Sequence, residues 1–414
     1  MSIRYILGAQ DGTPITLVLE ALQSQPAWRP FDERAVAFVR RFSQKLLTSA
    51  GIRQYPELAA LGHWFRGANL QALASKYELE SPEHLKLGRG LAFHLAPSNV
   101  DSVFMYSWLL SLLAGNVNLV RVSQKVSASQ NFLVDALTQT LSEEVGATVR
   151  ARIVLLTYPH NDQLTRIISE SCLIRVVWGG DATVRALRAI PLRPTATEIC
   201  FPDRFSACAI RASAVLDADD AALAQLAMAF YNDAFWFAQQ ACSSPRLVAW
   251  VGDDASVDAA AERFWTALEA ELARRQPENS EAMNMARVAA SFEYAAARLA
   301  RPAAPGEFRG AHPMRLRMEA ALDETAKSIH CGNGLFLETR LPCLAALAPQ
   351  LSDKEQTLAV HGFQREELIE LALNLPPRAI DRFAKFGEAL SFAPVWDGQD
   401  LIISFSRNVL LPSA

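Results

Sequence analysis

The sequence predicts an α/β protein: a doubly wound parallel-sheet domain followed by a second α/β domain. Three observations carry that expectation. Apolar runs of strand length alternate with helical stretches from Arg89 to Ile210, which is the pattern of a parallel sheet covered on both faces. At 414 residues the chain is longer than one hydrophobic core of roughly 250 to 300 residues supports. After the alternation comes another helix-to-strand passage, through Gln239-Gln240-Ala241-Cys242-Ser243-Ser244-Pro245, and it belongs to the second domain.

Residues 1–88 are mostly helical in pattern, and between Glu33 and Ser49 the side chains of Ala35, Phe38, Val39, Phe42 and Leu46 share one face. Strands are expected at Leu91–Leu95, Val117–Val122, Ile153–Tyr158, Leu173–Trp178 and Phe205–Ile210. Helices are expected at Val103–Ala114, Ala128–Val145, Gln163–Ser171 and Ala182–Ile190. This places a first domain at 1–211, with a helical segment 1–88 and a Rossmann-like part 89–211. The second domain is expected at 212–388. It would hold a helix at Ala221–Phe237, a strand at Arg246–Val251 and an exposed helical insertion that ends at Arg301-Pro302. A glycine turn, His330-Cys331-Gly332-Asn333-Gly334, then feeds a strand. Residues 389–414 form a tail in which Trp396-Asp397-Gly398 reads as a turn leading into a strand up to Arg407.

Composition excludes several classes. Half the residues are apolar, a fifth are charged and the formal net charge is −4, which is ordinary for a soluble globular protein and carries no nucleic-acid signature. Met1 to Leu7 lacks a sustained apolar region and a cleavage site, so a cytoplasmic protein is expected. Cys172, Cys200, Cys208, Cys242, Cys331 and Cys343 are then expected to stay reduced. No CxxC pair or His/Cys cluster proposes a metal. The apolar run Val103–Val120 falls short of the roughly 20 residues of a membrane span and is interrupted by Gly115, Asn116 and Asn118. It reads as a buried helix entering a strand.

Ligands of doubly wound sheets bind at the carboxyl ends of the strands. That singles out Pro97, Ser98 and Asn99 after the first strand, Ser123 and Lys125 after the second, and Trp178-Gly179-Gly180-Asp181 after the fourth. A glycine pair opening a helix can let backbone approach a phosphate, and it can equally be a plain turn. Cys242 sits on a tight turn, where neighbouring N–H groups can lower a thiol's pKa and receive an oxyanion. A nucleophile that forms a thioester needs both. The other reading of these residues is a small buried core thiol.

Six motifs in order carry a resemblance. They are His94-Leu95-Ala96-Pro97-Ser98-Asn99, Leu112-Leu113-Ala114-Gly115-Asn116 with Arg121-Val122-Ser123, Trp178-Gly179-Gly180-Asp181, Gln240-Ala241-Cys242-Ser243-Ser244-Pro245, Gln356-Thr357, and Trp396-Asp397-Gly398 with Ser406-Arg407. Together they resemble the LuxC-type acyl-CoA reductases, a branch of the aldehyde dehydrogenase superfamily. The resemblance implies an aldehyde dehydrogenase-like fold, with Cys242 as the acyl-accepting nucleophile and the Asn99 amide joining the Cys242 N–H as oxyanion hole. Arg121 stands where the superfamily usually has a lysine near the cofactor ribose. With Lys125 it suits a 2′-phosphate, hence NADPH. Pro97, Ser98, Ser123, Trp178, Gly179 and Gly180 are the other cofactor-binding positions it implies, although the usual Gly-x-Thr-x-x-Gly is not preserved. Glu198 falls near the superfamily's general-base glutamate, but Cys200, Phe201 and Pro202 replace the glycines that normally follow, and the residue can equally be read as a surface carboxylate. Glu338 is a further candidate for ribose contact.

The expected function is NADPH-dependent reduction of an acyl thioester, from coenzyme A or an acyl carrier or acyl protein, to the aldehyde through a Cys242 acyl-enzyme in the cleft between the domains. The family also implies an acyl-transferring synthetase as partner and a homo-oligomer. Two rivals stand beside it: an aldehyde dehydrogenase working in the oxidative direction, and a non-reducing acyl-transfer or assembly partner with the same fold.

Overall fold

A computed structural model describes residues 3–77, 83–97, 101–303 and 312–412. The chain forms two compact units, Met1–Pro202 with Phe392–Ala414, and Asp203–Ser391.

In the first unit the strands are β1 (Arg4–Leu7), β2 (His84–Gly88), β3 (Leu91–Leu95), β4 (Val117–Arg121), β5 (Ile153–Thr157), β6 (Ile174–Trp178) and β7 (Thr197–Phe201). Six of them make one sheet in the order β1-β5-β4-β3-β6-β7. β3 to β7 are parallel, and β1 adds to the edge antiparallel. Every residue of β3, β5 and β6 is buried, which is why these strands read as unbroken apolar runs rather than as alternations. Helix Glu33–Thr48 starts at the Asp32 cap, whose carboxylate accepts the Arg34 N–H, and it buries Phe38, Val39 and Phe42. The order reverses at β3, with β4 on one side and β6 on the other, and such a switch point opens a crevice beyond the strand ends.

The second unit holds β8 (Phe205–Arg211), β9 (Pro245–Val251), β10 (Ala300–Pro302), β11 (Met314–Met318), β12 (Leu335–Leu341), β13 (Glu355–His361) and β14 (Arg382–Lys385). Their order is β10-β11-β12-β9-β8-β13-β14, parallel except at β10. Ala207 and Ala209 of β8 point into one apolar layer, while Cys208 and Ile210 point into the other. The sheet is therefore covered on both faces.

Several expectations change here. Phe205–Ile210 was expected in the first sheet, but β8 lies at the middle of the second, paired in parallel with β9 and β13. The units accordingly divide at 202/203 rather than 211/212, and the tail from Phe392 returns to the first unit, so it is not a separate segment. Within the tail the turn is present, with Asp397 and Gly398 at positive φ, but Leu401–Phe405 is a helix rather than a strand. Asp400 caps it by accepting the Ile403 N–H at 3.1 Å, and Leu401, Ile402 and Phe405 bury one face. Val395–Trp396 and Gln399–Asp400 pair antiparallel across that turn, and after the helix Ser406–Leu410 is extended, pairing antiparallel with β2. The expected exposed insertion also differs. Helix Glu281–Ala296 buries Arg287, Ala290, Ser291 and Tyr294, because its amphipathic face lies against the second sheet's core.

Candidate active site

Cys242 lies in the turn between helix Asp220–Phe235 and β9. Ala238 and Gln239 adopt positive φ, 49° and 63°, as the chain leaves the helix, and the Ser244 N–H closes the turn on the Ala241 carbonyl at 3.0 Å. Hydrogen bonds then pin the turn from several elements. Ser244 Oγ donates to the Asp233 carbonyl at 2.8 Å. Ser206 Oγ, on β8, donates to the Cys242 carbonyl at 2.7 Å and accepts the Thr357 N–H at 3.2 Å. The buried Gln239 amide donates to the carbonyls of Pro245 at 2.8 Å and Leu335 at 2.9 Å, and accepts the Gly334 N–H at 3.0 Å. Gln240 Nε2 donates to the Cys331 carbonyl at 2.9 Å. Folding thus brings Gln356-Thr357 and the glycine turn 330–334, remote in sequence, onto the cysteine turn at the amino-terminal edge of the second sheet.

The six cysteines differ in what they can do. None is in a disulfide. Burial pushes the Cys172 thiol up to about 12, and Cys200 and Cys331 up to about 11, which leaves almost no thiolate at neutral pH. Cys208 is wholly enclosed, and burial raises it well above the ordinary thiol value. Cys242 is partly exposed on its turn, the setting a nucleophile requires.

The cofactor candidates lie at the carboxyl edge of the first sheet. Leu95 pairs with Arg121 in one direction and with Val177 in the other, so the residues after β3, β4 and β6 are adjacent. Pro97 follows β3; Ser98 and Asn99 lie outside the described residues. Arg121 donates from Nη2 to the Tyr158 carbonyl at 3.1 Å, and its guanidinium carbon stands 4.6 Å from the Tyr158 ring centroid. Ser123 Oγ accepts the Lys125 N–H at 3.1 Å, and the Lys125 side chain is exposed. Trp178 stacks on Phe201 at 3.7 Å, and the Gly179 N–H bonds the Phe201 carbonyl at 3.2 Å. Gly180 is the N-cap of helix Asp181–Arg188, and a Cβ there would meet no atom within 4 Å. An anionic dinucleotide fits these residues. Arg121 Nε is buried without a hydrogen-bond partner, Lys125 adds a second cation, and the open glycine leaves its backbone approachable. Asp181 already places a negative charge in that helix's first turn, which makes this helix end a poor place for a phosphate.

Glu198, on edge strand β7, is committed elsewhere. Arg175 donates to it from Nε at 2.8 Å, and Arg188 Nε bonds its second oxygen at 3.1 Å. Burial pushes its carboxyl up, but Arg175 together with Arg188 outweighs that and holds it below the usual range. A base must be free to take a proton, and this carboxylate is a structural ion pair. Glu338 is a buried residue in mid-β12, with Arg315 4.0 Å away. Among the described residues no group of three or more His, Cys, Asp and Glu is placed to hold a metal ion, and no helix is long and apolar enough to cross a membrane.

Sequence reasoning missed Ser206, Gln239 and Arg246. Only Arg246 left a trace, as the single charge in the otherwise apolar strand Pro245–Val251, four residues after the cysteine. Ser206 and Gln239 became visible only once their long-range partners were known.

Solved structures with this architecture are aldehyde dehydrogenases. KauB from Pseudomonas aeruginosa superposes with a TM-score of 0.67 at 12% identity, over 96% of this chain and 88% of that one. An NAD-dependent aldehyde dehydrogenase from Sinorhizobium meliloti gives 0.66 at 13% identity, over 96% and 86%. The fold is therefore that of the aldehyde dehydrogenases. The family described as acyl-CoA reductase (LuxC) matches residues 47–405, and the chain belongs to it. The long-chain acyl-protein thioester reductase of Aliivibrio fischeri is 24% identical over 170 residues, which span 40% of this chain and a third, 33%, of that protein.

Proposed function

We propose that the protein reduces an acyl thioester to the aldehyde with NADPH as hydride donor, through an acyl-enzyme on Cys242. The observation that carries this reading is the partly exposed Cys242, held on a hydrogen-bonded turn in a chain of the acyl-CoA reductase family. The Cys242 thiolate attacks the thioester carbonyl, a new S–C bond forms, and the donor's thiolate leaves and takes a proton. The Cys242 N–H and the Asn99 amide are assigned to the oxyanion. Losing one such donor typically costs about 2.7 to 4 kcal/mol of barrier. A reduced nicotinamide, when bound, would supply the hydride to the acyl carbon, and cleavage of the Cys242 S–C bond then releases the aldehyde and returns the thiolate. Arg121 and Lys125 would hold the 2′-phosphate, with Pro97, Ser98, Ser123, Trp178, Gly179 and Gly180 lining the rest of the dinucleotide.

The commitment of Glu198 to Arg175 and Arg188 favours the reductive over the hydrolytic direction, because discharge by hydride needs no water-activating base. A coenzyme A or carrier-bound acyl donor, an acyl-transferring synthetase as partner and a homo-oligomer complete the reading. Its test is NADPH oxidation against acyl-CoAs of increasing length, together with intact-mass measurement of the acylated protein. Cys242→Ala should abolish both turnover and the covalent adduct; an adduct that survives the substitution moves the nucleophile to another cysteine.

A further inference from the structure

Arg246 is the second residue of β9, and it sits where the pairing with β8 slips: Ser206 faces Pro245, yet Ala207 faces Leu247. One extra residue therefore stands on β9, and it is Arg246. A bulge re-aims the side chain it carries. Its neighbours Phe205, Tyr294 and Cys331 belong to the same apolar layer as Leu247, which places the guanidinium in that layer and not with Val248 on the opposite face. The residue is 9% exposed, its guanidinium carbon lies 5.7 Å from the Phe205 ring centroid, and Nε is buried without an acceptor. Among the described residues its side chain makes no hydrogen bond or ion pair. A buried arginine without an anion is costly and rare.

We propose that Arg246 is a positioning residue for Cys242, its guanidinium serving as the counter-cation of the Cys242 thiolate; the inference rests on the reading of Cys242 as nucleophile. The neighbouring groups leave few other anions for it. The Tyr294 hydroxyl donates to the Ala326 carbonyl at 2.5 Å, and burial raises its pKa. Burial likewise keeps Cys331 protonated. His330 is neutral, its Nε2 on the Leu335 carbonyl at 3.0 Å and its Nδ1 accepting the Gly332 N–H at 3.1 Å. Arg287 is a second cation, held by the Asn333 carbonyl at 2.8 Å and Asn279 Oδ1 at 2.7 Å. Asp203 is exposed, where water screens its charge. Burial lowers the pKa of Arg246, and the charges of Asp203 and then Cys242, which precedes it by four residues, oppose that fall. The arginine's unneutralised charge, in a layer of low dielectric, favours the ionised thiol and delivers its proton to solvent.

The test is the pH dependence of Cys242 alkylation by iodoacetamide in the full-length protein, followed by mass spectrometry of the Cys242 peptide. The wild-type midpoint is expected at least about one pH unit below the ordinary thiol value of about 8.5. Arg246→Met should raise it by about one unit, a tenfold loss of thiolate at pH values below both midpoints. Arg246→Lys should keep it low. A wild-type midpoint at or above the ordinary value overturns the proposal. So does an unchanged midpoint in Arg246→Met, or a rise in Arg246→Lys as large as in Arg246→Met. Should Arg246→Met fail to fold by circular dichroism, the wild-type and Arg246→Lys midpoints decide. A low midpoint without any acyl adduct from acyl-CoA would reject the reductase reading and keep the pairing; an adduct with an ordinary midpoint would do the reverse.

Discussion

At the scale of single residues, charge decides which side chains can do chemistry. Arg121 is the residue to which the proposed preference for NADPH is assigned. Its bond to the Tyr158 carbonyl and its placement over the Tyr158 ring fix the guanidinium while leaving donors for a phosphate. A hydrogen bond to a charged group contributes about 1.5 to 3 kcal/mol. Arg121→Ala should therefore raise the KM for NADPH by about tenfold or more and leave that for NADH nearly unchanged, as steady-state kinetics with both cofactors would read. Equal effects would remove its 2′-phosphate role. Glu198 illustrates the limit of reading residues singly. Its position suggested a base, but what it does depends on Arg175 and Arg188, 23 and 10 residues away in sequence.

At the scale of elements, the cysteine turn owes its shape to segments that meet only in the fold. Gln239 satisfies two carbonyls and one N–H at once. Gln239→Ala would leave the Pro245 and Leu335 carbonyls and the Gly334 N–H without those partners. At about 1 to 3 kcal/mol for each buried group left unpaired, a loss of several kcal/mol is expected, visible as a lower melting midpoint together with slower acylation of Cys242. Gly332 shows the same dependence from the other side. Its φ is +70°, and a Cβ there would stand 2.4 Å from Gln240 Nε2. Gly332→Ala should slow acylation more than it lowers the melting midpoint, because the displaced group is a side chain on the turn itself. The turn's position between helix and strand was legible from Gln239 to Pro245. Its hydrogen-bonding partners were not, since they lie up to 96 residues away, at Leu335.

At the scale of the whole molecule, each unit holds a buried titratable group, and the two oppose each other in their response to pH. In the first unit His94 is enclosed between Ser107 Oγ at 2.9 Å and Asn118 Oδ1 at 3.0 Å, and burial lowers its pKa from 6.5 to about 4. The unfolded chain binds the proton first, so stability present above pH 6.5 is lost as pH falls toward about 4, on the order of 3 kcal/mol at about 1.4 kcal/mol for each pH unit. In the second unit Asp233 accepts the N–H groups of Gly387 at 2.7 Å and Ala389 at 2.9 Å, and burial raises its pKa from 3.8 to about 7. Here the folded state holds the proton more tightly, so stability present below pH 3.8 is lost as pH rises through about 7. Calorimetry across this range should show His94→Gln flattening the acid side of the profile and Asp233→Asn the neutral side. The same variant flattening both sides would refute the assignment.

By itself the sequence determined the fold class, the strands and helices with strong periodicity, the family and the cysteine turn, because apolar spacing and turn residues act over a few neighbouring positions. Only the tertiary structure decided that β8 belongs to the second sheet, that the tail returns to the first unit, that Glu198 is an ion pair and that the β9 bulge exposes Arg246 to the layer around Phe205. Strand partners and buried charge pairs are non-local. They are chosen by what the closed chain must bury and neutralise, and no window of sequence contains both members of such a pair.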